Sequence, residues 1–168
     1  MTQDPQKDAE LEARFWASLR KDMTVMLGLG SEIEYRPMTA QLTSEDKDEG
    51  PIWFFTSTET DLGKHVQQAG APEASFHFVD KGHNVWATVS GTLQADMNRA
   101  VIDKLWNPYV AGWYEQGKDD PKLLLLRMDP AHAKIWKDGS SLVAYVLTLL
   151  GRDPKQDYQD NVASVSLR

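Results

Sequence analysis

Ala74-Ser75-Phe76-His77-Phe78-Val79 and Val85-Trp86-Ala87-Thr88-Val89-Ser90-Gly91-Thr92-Leu93 are separated by Asp80-Lys81-Gly82-His83-Asn84. The first block alternates with a period of two, which a helix cannot use and a half-buried strand requires. The second returns after a turn rich in Gly, Asn and Asp, so the three read as a β-hairpin. Gly91 inside the returning strand marks a bulge or a bend at a barrel corner.

Reading toward the N-terminus, Pro51 to Thr56 is a short apolar strand, mostly aromatic, after an acidic turn from Thr43 to Gly50. Thr24 to Leu27 and Ile33 to Leu42 form two more strands around Gly28-Leu29-Gly30-Ser31. Pro37 cannot donate to a ladder, so its strand belongs at an edge, a bulge or a kink. Asp4-Pro5 is a helix start, with Leu11, Phe15, Leu19 and Met23 spaced four apart behind it. Between strands, Leu62, His65, Val66 and Ala69 fall on one face of a short helix within Ser57 to Ala69.

Toward the C-terminus, Asn98 to Trp106 has helical spacing, and Pro108 follows as a stop signal. Leu123 to Leu126 is a four-leucine run fit for a buried strand, and Ala131 to Trp136 is a further candidate after Asp129-Pro130. Ser140-Ser141 caps an expected apolar helix, Leu142 to Leu150. A polar tail, 152–168, follows a single domain, 1–151, and ends in a weakly alternating stretch. The sum is a mainly β protein of the α+β kind, a barrel of short antiparallel strands with covering helices.

The 168 residues are 41% apolar and 26% charged, enough for a core that hides roughly 70% of the unfolded surface. No cysteine is present, which excludes disulfides, Cys-ligated metals and thiol nucleophiles. The net charge of −7 and the lack of a basic stripe argue against nucleic acid. The longest apolar stretch, Leu142 to Leu150, is far short of the roughly 20 residues a spanning helix needs. The polar, acidic first ten residues lack the regions of a signal peptide, so the cytoplasm is the expected location and no membrane partner is expected.

Strong catalytic signatures are missing. His77 and His83 flank one hairpin without other ligands at metal spacing, and no metal is assigned. There is no Gly-x-Ser-x-Gly elbow, P-loop or dinucleotide fingerprint, and no catalytic residue is assigned. Two patterns remain. One is Tyr35-Arg36-Pro37-Met38-Thr39, with an arginine in mid-strand. The other is Trp53-Phe54-Phe55-Thr56-Ser57 followed by Lys64. An aromatic strand end beside hydroxyls and cations offers a flat apolar surface next to phosphate donors. Taken singly, Arg36 reads equally well as a snorkelling surface arginine and Lys64 as a solvated lysine.

In this order and spacing the patterns resemble the FMN-binding split-barrel proteins related to pyridoxamine 5′-phosphate oxidase, above all the general stress protein 26 subgroup. The likeness runs from Glu12 to Asp138. It includes Phe15-Trp16, Arg36-Pro37-Met38, Ile52 to Ser57, Gly63-Lys64, Phe76 to Asp80, Val85 to Gly91, Leu105-Trp106, Trp113 to Gly117, Asp119 to Pro121 and Ala133 to Trp136. The resemblance implies a six-stranded antiparallel split barrel with flanking helices. It implies a homodimer that holds FMN, or FAD, at its interface. It places Arg36 near the flavin or its phosphate, Met38 against the ring, Phe55, Thr56 and Ser57 along ring and ribityl chain, and Lys64 on the phosphate. Trp113 and Trp136 resemble aromatics that complete the groove.

Two departures stand against full oxidase activity. Gly63 replaces a basic residue of the oxidases, and Ile135 to Ser141 does not match their arginine-containing C-terminal segment. Expected, therefore, is a flavin-binding general stress protein with a redox or flavin-handling role. The rivals are a non-catalytic module for flavin sequestration or protein interaction and, more remotely, a pyridoxamine 5′-phosphate oxidase.

Overall fold

The structure is a computed structural model and describes residues 4–138, 146, 148–151 and 161–167. Its first helix, α1 (Pro5–Asp22), starts as the sequence predicts. The Asp4 carboxylate accepts the Gln6 N–H at 3.0 Å, and Pro5 takes the first helical position. Leu11, Phe15, Trp16 and Leu19 form its buried face, and the Phe15 ring meets Phe78 edge-on at 6.1 Å. The helix ends at Met23, which adopts the left-handed conformation (φ 47°) and returns its N–H to the Leu19 carbonyl.

Among the described residues, seven antiparallel strands make one sheet: β1 (Thr24–Leu29), β2 (Ile33–Thr39), β3 (Ile52–Ser57), β4 (Glu73–Val79), β5 (Val85–Ala95), β6 (Leu123–Lys137) and β7 (Val162–Ser166). The spatial order is β2-β1-β4-β5-β6-β3, and β7 also pairs with β6. The two ends of this path, β2 and β3, come together at one isolated bridge, Gln41 to Trp53, with N–H···O distances of 2.9 and 2.8 Å. The barrel is therefore closed by a single residue pair and split elsewhere along that seam. Pro37 lies on β2 opposite Met26, at the end of the strand order, where a missing donor interrupts no inner ladder.

The resemblance implies six strands, and seven are present among the described residues. Leu123–Leu126 and Ala131–Trp136 are halves of one strand, β6. Pro130 faces Gly91, and His132 faces Ser90, so Ala131 is the extra residue of a bulge. A β-carbon on Gly91 would stand 2.1 Å from the Asp129 carbonyl oxygen, which is why a glycine occupies this corner. The seventh strand comes from the end of the chain. Val162–Ser166 pairs with the second half of β6 and brings the buried residues Ala163 and Leu167 toward α1. Its alternating residues are small and weakly apolar, so the period alone carries little signal. The expected helix Leu142 to Leu150 and its Ser140-Ser141 cap lie largely outside the described residues.

The four-leucine run is buried on both faces because two cores share β6. Leu124 and Leu126 enter the main core with Ile52, Phe54 and Phe76. Leu123 and Leu125 enter a second cluster with Trp53, Ile102, Leu105, Val110 and Tyr114. That second cluster is roofed by α3 (Arg99–Leu105) and a short helix not expected from sequence, α4 (Pro108–Ala111). Pro108 stops α3 and also starts α4, with the Asn107 side chain accepting the Tyr109 and Val110 N–H groups at 3.0 and 3.1 Å. A further helix, α2 (Asp61–Ala69), follows β3 and buries Leu62, Gly63 and Val66.

Candidate functional site

A cleft of about 870 Å³ opens where β2 and β3 part. One wall carries Met23, Thr24 and Pro37 to Thr39, the other Phe55 to Ser57 with Thr60, and α4 with the turn after it adds Tyr109, Trp113 and Tyr114. Gln41 lies at the seam between them. Of the eight residues singled out from sequence, Met38, Phe55, Thr56, Ser57 and Trp113 line this one cleft. They come from two edge strands and a helical turn, so only the closed fold makes them neighbours.

Arg36, Lys64 and Trp136 are not among the lining residues. Arg36 sits opposite Leu27, two residues before Met38 and on the same side of β2. Lys64 is exposed in the first turn of α2, its N–H bonded to the Thr60 carbonyl at 2.9 Å. Trp136 lies on β6 opposite Trp86, with the Lys134 ammonium 5.2 Å from its ring centre.

The hydroxyls of the β3 wall are wired in one direction. Thr60 donates to the Ser57 carbonyl at 2.9 Å and accepts the Gly63 N–H at 3.0 Å, which caps α2. With its proton committed, Thr60 accepts from Thr56 at 3.1 Å. Ser57 Oγ accepts the Glu59 N–H at 3.1 Å, and among the described residues its own proton has no acceptor. Gly63 makes this geometry attainable. A β-carbon there would fall 2.1 Å from the Ser57 carbonyl oxygen. No basic side chain can therefore occupy position 63 without moving α2 off the strand end.

Tyr114 supports the same wall from behind, its hydroxyl donating to the Thr56 carbonyl at 2.5 Å. Burial, reinforced by the charge of Asp120, pushes the Tyr114 phenol up to about 12. Asp120 itself is held below the usual carboxylate range by the N–H groups of Lys122 and Gln116, at 2.9 and 3.1 Å. On the opposite side, Lys21 and Lys81 line the cleft, and neither has an ion pair among the described residues. The Asp22 carboxylate accepts the Lys81 N–H at 2.8 Å and latches the β4–β5 turn to the end of α1.

Gln41, Thr60, Tyr109, Tyr114, Lys21 and Lys81 were not readable as site residues. Thr60-x-x-Gly63 is a capping pattern, and Tyr109 and Trp113 stand four apart, but nothing local says which surface they face. In the folded chain Tyr109 and Trp113 are 88% and 85% exposed beside the cleft, far above the norm for aromatics that serve packing.

The pyridoxamine 5′-phosphate oxidase like family model matches residues 10–158. The chain belongs to that family. Among solved structures of similar proteins is a general stress family protein of Xanthomonas campestris pv. campestris. It is 50% identical over 83% of this chain and 93% of its own, with a TM-score of 0.71. The general stress FMN/FAD binding protein of Xanthomonas citri is 48% identical, covering 79% and 92%, with a TM-score of 0.70. A general stress protein 26 of Jannaschia sp. CCS1 is 29% identical over 95% and 99%, at a TM-score of 0.74. No curated protein matches significantly. The split barrel of this family is thus the fold of the chain, with β7 added to the six expected strands.

Proposed function

We propose that this protein is a flavin-binding general stress protein that holds FMN or FAD in the β2–β3 cleft and uses it in a redox or flavin-handling role. The observation that carries the reading is the meeting of Met38, Phe55, Thr56, Ser57 and Trp113 on one cleft. The residues present fit such a cofactor. The volume of about 870 Å³ lies in the range of pockets for ligands of this size. Phe55 and Trp113 offer flat faces, and Met38 a polarisable thioether, to a tricyclic ring. Ser57 keeps a free donor. Positive charge for a phosphate comes from Lys21 and Lys81 in the cleft and from Arg36 and Lys64 on the elements that border it, on a chain of net charge −7. The Xanthomonas citri relative, 48% identical, is described as an FMN/FAD binding protein.

When bound, the flavin supplies the electron-accepting chemistry, and the protein supplies position and electrostatics. Tyr114 and Thr60 fix the β3 end, Ser57 offers a donor, and the aromatic residues of the α4 region screen the ring from water. The reading extends to a homodimer. Val79, Trp86, Trp136 and Val162 stand in register across four strands of the outer sheet face, with Val79 and Trp86 42% and 37% exposed. Such a row is expected to pack against a second copy. In that arrangement Trp136 acts at the subunit interface.

The test is titration of the purified protein with FMN, followed by tryptophan fluorescence and the visible spectrum. Binding at about micromolar Kd or tighter is expected, about −8 kcal/mol. No saturable binding would refute the proposal. Lys64→Ala is expected to weaken FMN more than riboflavin, which lacks the phosphate. Equal losses for both would remove Lys64 from the phosphate site. Repeated reoxidation of the reduced complex by an acceptor separates a redox role from sequestration.

A further inference from the structure

Gln41 closes the barrel with its backbone alone. Its N–H and carbonyl are both spent on Trp53. The residue is 9% exposed, and among the described residues no hydrogen bond reaches its side-chain amide. The fully enclosed side-chain polar atoms without partners belong to Trp16, Arg20 and Trp53, so the Gln41 amide is not sealed inside protein. Gln41 is among the residues that line the cleft. An amide with no protein partner and an opening to the cleft is available to a ligand that presents a donor and an acceptor side by side.

The position narrows the ligand group. Gln41 sits at the seam between the Met38 and Phe55 walls, where a flat apolar body would lie, and away from the Ser57–Thr60 hydroxyls at the start of α2. It is uncharged and carries both an acceptor and a donor in one plane. That pattern matches the edge of a cyclic imide and is poorly matched to a phosphate, which offers acceptors only.

Resting on the flavin reading above, we infer that the Gln41 carboxamide reads the imide edge of the flavin ring. Its N–H donates to a ring carbonyl oxygen, and its carbonyl accepts the ring N3–H. Gln41 is then a specificity residue of the site, selecting rings with a free imide over ring analogues that lack one.

The experiment crosses protein and ligand changes. FMN and 3-methyl-FMN, whose N3 has lost its proton, are titrated into the wild type and into Gln41→Met, which keeps an unbranched side chain of similar size. The wild type is expected to prefer FMN by about tenfold, on the order of one well-formed pair of hydrogen bonds. Gln41→Met is expected to lose about tenfold for FMN and to bind the two ligands alike. Equal affinity of the wild type for both ligands would overturn the inference without any variant having to fold. A variant that weakens both ligands by one factor would overturn it as well, because that is the mark of a structural role. Wild-type protein that binds no FMN would sink the flavin reading and this inference together. FMN binding without N3 discrimination would sink the inference alone.

Discussion

Tyr114 shows how one side chain outside the strands sets the geometry of a strand end. Its ring fills the second core beside Val110 and Leu125, and its hydroxyl reaches the Thr56 carbonyl. Removing that hydroxyl in Tyr114→Phe is expected to cost about 1 kcal/mol and lower Tm by about 2–4 °C, read by calorimetry. The same residue gives an alkaline signature. Its phenol sits at about 12 in the folded chain, above the unfolded value near ~10. Below pH ~10 both states keep the proton and stability is unaffected. Between about 10 and 12 only the unfolded chain ionises, so stability falls by about 1.4 kcal/mol per pH unit. Denaturant melts at pH 9 and 11 should show this loss in the wild type and a smaller one in Tyr114→Phe. Identical slopes would mean that Tyr114 does not titrate as its burial requires.

At the scale of elements, the contact of α2 with β3 decides the shape of the cleft. Thr60 caps the helix and ties it to Ser57, and Gly63 lets the helix approach that carbonyl. Gly63→Ala puts a methyl where backbone oxygen already stands, so the helix must shift. A loss of about 2 kcal/mol or more is expected, with weaker FMN binding as the Ser57 wall moves. Full retention of both stability and affinity would show that α2 adjusts freely. Elements of strong local period were legible in the sequence. The β4–β5 hairpin, the edge position of Pro37, the bend at Gly91 and the capped start of α1 all follow from local residues. What failed was local too, but ambiguous. Asp129-Pro130 looks like a break, and becomes a bulge only because Gly91 on the neighbouring strand leaves room for it. Pro108 looks like a stop, and also begins α4 because Asn107 supplies a cap.

For the whole molecule, the proposed dimer rests on the sheet's outer face. Trp86 makes its exposed row with Val79 and Trp136 and is outside the two buried cores, so Trp86→Glu leaves the fold intact. The wild type is expected to run as a dimer by light scattering, and Trp86→Glu as a monomer with reduced FMN affinity. A wild-type monomer, or a variant that stays dimeric, would place the interface elsewhere or abolish it. Tryptophan burial divides along the same line. Trp16 and Trp53 are 0% and 4% exposed and serve the cores, while Trp113 is open at the cleft.

By itself the sequence determined most of the strands, the start of α1 and the residue types suited to a flat anionic ligand. Those follow from periodicity, capping and turn chemistry, which act over a few residues. Only the tertiary structure decided that Met38 and Phe55 line one cleft, that Lys64 stands outside the cleft rather than in it, and that Gln41 is left with an unanswered carboxamide. These are matters of which strand edge meets which across tens of residues of chain. Register and closure depend on the packing of the whole core, and no local pattern encodes them.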